Sequence, residues 1–135
     1  MGRIVLGVIG GYFLMGMLVV ATDQLFALAG LQSTPQPPAF YFAISMVTTT
    51  LYTWIGAYFC AAVAASAGVR DNARKARLAL IIFGEAMGIA GQIMLRNAVP
   101  RWYAIGLLIL YPIAVWFGAG FQMRKKPAGE PVAAG

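Results

Sequence analysis

The chain of 135 residues has no histidine, a single cysteine, Cys60, and only four acidic residues, Asp23, Asp71, Glu85 and Glu130. Without histidine there is no imidazole general base and no axial histidine for haem or chlorophyll. One cysteine excludes an intrachain disulfide and, with no histidine, the usual Cys/His zinc sites. The scattered acids form no carboxylate pair, and phosphate-loop, nucleophile-elbow and zinc-protease motifs are missing. A non-enzymatic protein is expected, with no catalytic residue, metal or cofactor.

Charge is scarce as well. Charged residues make up 10% of the chain and hydrophobic ones 61%, whereas a soluble domain has about a quarter charged residues. Most of this surface must therefore face something other than water. Four apolar runs, at about residues 4–29, 39–67, 78–95 and 102–123, each reach the ~18 residues that read as a membrane-spanning helix. Between them lie the prolines Pro35, Pro37 and Pro38, a basic turn around Arg70–Arg77, and a short link ending in Pro100. Pro100 suits the entry to the fourth helix, and Pro112 inside that helix should kink it. The expected fold is all-α: a polytopic, four-transmembrane-helix antiparallel bundle over residues 1–123. Residues 124–135, with no apolar pattern, are expected to form a disordered cytoplasmic tail.

What charge there is has a direction. Arg3, Arg70, Arg74, Lys75, Arg77, Arg124, Lys125 and Lys126 gather at one set of helix ends, and only Arg96 and Arg101 at the other. The positive-inside rule places both termini and the middle loop in the cytoplasm, in a bacterial inner membrane. Phe40, Tyr41, Phe42, Trp102 and Tyr103 suit the opposite interface. The seven residues Arg70, Arg74, Lys75, Arg77, Arg124, Lys125 and Lys126 are candidate contacts for anionic lipid headgroups. The net charge of +6 is accounted for by this topology, so no nucleic acid is implied. The Met1-Gly2-Arg3 start and Ala27-Leu28-Ala29 resemble the ends of a signal peptide, but the apolar run is well beyond the ~7–15 residues of such a segment. Myristoylation fails because Leu6 stands where Ser or Thr is needed.

One acid falls inside a span. Glu85 lies about 12 Å beyond Arg77 along the third helix, where an ionised carboxylate facing lipid is costly. It is a candidate proton or cation site, holding its proton until a cation replaces it. The structural alternative is a neutral Glu85 hydrogen-bonded to a neighbouring helix. Counting depth from Arg77 offers Tyr12 and Tyr58 as partners, and Gly88, Gln92 and Arg96 share its helical stripe. At the other end, Asp23 is a candidate interfacial ion-pair partner for Arg96 or Arg101.

Small residues at four-residue steps, Gly7/Gly11, Gly84/Gly88 and Gly56/Cys60/Ala64/Gly68, suit close helix packing within the chain or between protomers. Cys60 in that ladder reads as a core residue. Thr48, Thr49, Thr50 and Thr53 are expected to bond their own helix carbonyls or a neighbouring helix, with a hydroxyl-lined ion path as the alternative.

The Arg-then-apolar start, the proline-rich first outer loop and the basic middle loop resemble the small, uncharacterised four-helix bacterial inner-membrane proteins. That likeness is one of layout and implies no functional residue. Small multidrug-resistance transporters share the size, but that family's essential Glu is in its first helix, where this chain has only Asp23. The function expected is that of an accessory or scaffold membrane subunit, with the bilayer, another membrane subunit or a homo-oligomer as partner. The alternative is a small oligomeric proton-coupled transporter or channel using Glu85.

Overall fold

A computed structural model describes residues 2–30, 38–65, 70–94 and 99–124, with the side chain of Arg70 outside the description. These residues form four helices: α1 (Gly2–Leu28), α2 (Ala39–Ala65), α3 (Arg70–Met94) and α4 (Arg101–Arg124). Each is long and apolar enough to cross a membrane. Only helices satisfy every backbone group within one segment in hydrocarbon, which is why apolar runs of this length fold this way.

α2 touches the other three helices and α3 packs against α1 and α4 as well, while α1 and α4 have no mutual packing among the described residues. α2 and α3 thus form a central pair flanked by α1 and α4. Along α1 and α2, Gly7 meets Cys60 and Ala64, Gly11 meets Gly56, Thr22 bonds Tyr52, and Phe26 stacks on Tyr41.

The small-residue ladder is used inside the chain. A Cβ placed on Gly7 would lie 2.8 Å from the Cys60 carbonyl oxygen, and one on Gly11 would lie 2.7 Å from that of Gly56. Met15 fills the space left by Gly56. On the other flank, Gly118 of α4 lies against the Trp54 backbone. Around these contacts sits a core of Val8, Met15, Ala57, Cys60, Ala64, Ala76, Leu80 and Val115. It occupies the half of the bundle that bears Arg3, Arg74 and Arg124, called here the basic end. At the far end, rings of Phe26, Tyr41, Phe42, Trp102 and Tyr103 form a continuous chain of contacts. Ser45 and Tyr103 share a hydrogen bond of 3.0 Å beside them.

One expected turn is helix. Residues 70–77 are the first two turns of α3, which therefore begins well before the apolar run at Leu78. Alanine, arginine and lysine are good helix formers. Asp71 in the first turn complements the helix dipole, and it pairs with Lys75 at 2.7 Å across one turn. That pair is solvent-exposed on both sides and correspondingly weak, so composition is the main cause. α4 continues through Pro112. Gly68 lies outside the described residues.

Overpacking a close helix contact costs roughly 1–3 kcal/mol. Gly11→Ala should therefore lower the melting temperature of the protein in detergent. Gly120→Ala, where a Cβ meets nothing within 4 Å, should hold or raise it by the usual helix propensity gain. Equal behaviour of the two would show that the close α1–α2 approach does not limit stability.

Candidate functional site

Between the small-residue core and the aromatic far end, the four helices leave a cleft of about 350 Å³. α1 contributes Tyr12, Gly16 and Val20, α2 the threonines, α3 Glu85 and Gln92, and α4 Leu108 and Tyr111. Its walls are mostly apolar, and no basic side chain lines it among the described residues.

Glu85 is half-buried in this wall, and its Oε1 is shielded from solvent with no hydrogen-bond partner. A buried polar atom left unsatisfied costs about 1–3 kcal/mol, so its retention in a membrane helix calls for a role. Gln92 and Gly88, expected on the same stripe, line the cleft too. Tyr12 is there as expected, its ring edge-on to Phe83 with centroids 5.0 Å apart.

Tyr58 is not there. Its ring lies against Phe121, on the α2–α4 side. The reason is the register of α3. Counting from Arg77 treated that residue as the membrane boundary, but the helix already runs from Arg70, and the Arg77 guanidinium lies 3.6 Å over the centroid of Trp116. Cys60 is level with Ala76, since its Sγ lies 4.0 Å from that carbonyl oxygen. Glu85, nine residues farther along α3, is therefore level with Thr50 and Thr53 on α2 rather than with Tyr58.

Two further groups complete the wall, and the first escaped the sequence reading. The first is Tyr111, whose hydroxyl donates to the Leu80 carbonyl at 3.0 Å. It fits because residue 84 is glycine: a Cβ there would overlap the tyrosine ring and hydroxyl. A lone tyrosine hydroxyl deep in an apolar run must find a partner, which was the available signal. The second is the Thr49, Thr50 and Thr53 face. Thr48, Thr50 and Thr53 do donate to their own helix, to the carbonyls of Ile44 at 3.1 Å, Met46 at 2.7 Å and Thr49 at 2.8 Å. Of these, Thr50 and Thr53 line the cleft, where each hydroxyl oxygen can still accept a hydrogen bond.

The other candidate residues lie apart. Asp23 is half-buried near the end of α1, Arg101 is exposed, and they form no ion pair among the described residues. Arg96 lies outside those residues, as do Lys125 and Lys126. Arg74, Lys75 and Arg124 are exposed at the basic end. Arg74 and Arg77 border a second hollow with Asp71, Trp116 and Met123. Among the described residues no group of three His, Cys, Asp or Glu could hold a metal ion.

No protein-family model, curated protein or solved structure matches this chain.

A double-mutant cycle tests the link between Gly84 and Tyr111. Tyr111→Phe alone should cost about 0.6–1.5 kcal/mol of stability in detergent, the value of one intramembrane hydrogen bond. Gly84→Ala should cost more, because it also displaces the ring. After Gly84→Ala, the Tyr111→Phe change should cost nothing further, and additive costs would show that the two residues act independently.

Proposed function

We propose that this protein is a small proton-coupled transporter or channel of the bacterial cytoplasmic membrane, with Glu85 as its coupling residue. The single observation that carries the reading is the unpartnered carboxyl oxygen of Glu85 in the wall of an intramembrane cleft. An ionisable side chain at the centre of a membrane helix costs about 2.5–3.5 kcal/mol even on lenient insertion scales. A neutral packing residue would recover some of that cost through a hydrogen bond to a neighbour, and Oε1 makes none.

The bundle in this reading is antiparallel, with both termini cytoplasmic. The opposed order of contacts along α1 and α2 supports it, from Gly7 with Cys60 to Phe26 with Tyr41. The gathering of eight of the ten basic residues at one end supports the orientation. Those that are exposed would meet anionic headgroups. The activity is non-enzymatic and involves no nucleic acid, and a second copy is the expected partner. An accessory-subunit role is the second reading, favoured by the isolation of Glu85: no other acidic residue lines the cleft to relay a proton.

The test is proton flux in liposomes under an imposed pH gradient, with and without candidate cationic substrates. Vesicles with the wild-type protein should dissipate the gradient faster than empty ones, and Glu85→Gln should abolish the difference while melting like the wild type. Undiminished flux in that variant would remove Glu85 from coupling, and no flux in either protein would favour the accessory role.

A further inference from the structure

The chemistry of the cleft narrows what it can hold. Each hydroxyl has one proton to give, and three of those in the wall are already committed: Thr50 to Met46, Thr53 to Thr49 and Tyr111 to Leu80. Toward the cleft these groups are acceptors, and so is the free Oε1 of Glu85. Gln92 and Tyr12 can donate as well as accept, but among the described residues no basic side chain lines the wall, so an anion finds no countercharge there. The one carboxyl group in that lining, Glu85, favours a positive charge brought by the ligand itself.

The remaining surface, Gln92 aside, is mostly apolar, with Met15, Val19, Val20, Leu107 and Leu108, and it includes the tyrosines Tyr12 and Tyr111. Aromatic faces attract cations, and the aliphatic side chains suit a hydrocarbon body. A single carboxylate balances a single charge, since a second would be left unpaired in a dry site. The volume of about 350 Å³ falls within the roughly 300–1,000 Å³ range of small-molecule sites.

Resting on the assignment of Glu85 as the coupling group, we propose that the cleft binds a lipophilic monocation, an ammonium centre on an apolar or aromatic body, in exchange for the Glu85 proton. The step balances. The Glu85 O–H bond breaks, the proton leaves to water, and the cation pairs with the carboxylate. The site is neutral before and after, so neither state leaves a bare charge in hydrocarbon. Because proton and cation compete for one carboxylate, cation binding weakens as pH falls, by up to about tenfold per unit once the proton dominates.

The probe is benzyltrimethylammonium, with benzylsulfonate as the anion of similar body, added to the protein in lipid nanodiscs with empty nanodiscs subtracted. The wild type should bind the cation, release close to one proton per cation bound in weak buffer, and ignore the sulfonate. Glu85→Gln should weaken cation binding at least tenfold and abolish proton release. Gly16→Phe provides a second variant that keeps the carboxyl. Residue 16 lines the cleft, and a Cβ there meets nothing within 4 Å, so the added ring should block binding without touching the packed core. No binding by the wild type, equal binding by Glu85→Gln, absent proton release, or equal affinity for the sulfonate would each overturn the inference. Flux that depends on Glu85 without cation binding would sink this inference and spare the coupling role. Binding that depends on Glu85 without any flux would do the reverse.

Discussion

The backbone contact of α1 with α2 at Gly7, Gly11, Gly56 and Cys60 is the constraint on which the rest of the bundle depends. In lipid the hydrophobic effect gives helices no reason to associate, so packing at close range has to hold them together. Here glycine lets one backbone reach the other: the added atom at residue 11 would meet a carbonyl oxygen at 2.7 Å. The ladder of small residues serves only the basic half. Beyond Gly56 the facing groups are Met15, Gly16 and Val19 on one side and Thr49, Thr50 and Thr53 on the other, and there the cleft opens. A close-packed half and a hollow half therefore follow from where the close α1–α2 backbone contacts stop.

The hollow half is also where the polar groups collect, and one glycine links the two facts. Gly84 precedes Glu85 and admits the Tyr111 ring, whose hydroxyl holds the Leu80 carbonyl one turn back along α3. α4 is thereby fixed to α3 directly beside the carboxyl group. Leu80 belongs to the sealed core and Glu85 to the cleft, so the Tyr111 bond sits at the boundary between them. A change in the Glu85 partner and a shift of α4 are consequently events in adjoining parts of one small contact.

Much of this was legible in the sequence. Four runs of apolar residues led to four membrane-length helices, and the four-residue steps of small residues led to the α1–α2 contact. Glu85, Gln92 and Tyr12 were brought to one place by helical periodicity and depth. The start of α3 was misread because charge was taken as a signal for a turn, when Arg, Lys and Ala in residues 70–77 favour helix as well as water. That single error displaced the depth count and drew in Tyr58, which packs on Phe121 instead. Tyr111 was missed for a different reason. Its importance depends on which helices meet, and one-dimensional periodicity does not give the order of helices around a bundle.

The corrected register changes what Glu85 can reach. It lies fifteen residues into α3, about 22 Å along the axis from Arg70, and not one short span from the basic surface. Between it and that surface stand Leu80, Val115 and Cys60, the largest fully buried side chains of the bundle. The Arg77 guanidinium lies over the Trp116 ring, 3.6 Å from its centroid. In this structure the carboxyl group is thus served by the cleft and shielded from the basic side. A proton or cation that enters by the cleft can leave by the other side only if that core parts. What would have to part is Leu80 of α3 and Val115 of α4 against Cys60 of α2, together with the α1 contacts of Gly7 and Gly11 that back Cys60. A path through the basic side is thus closed by the same close packing that holds the bundle together.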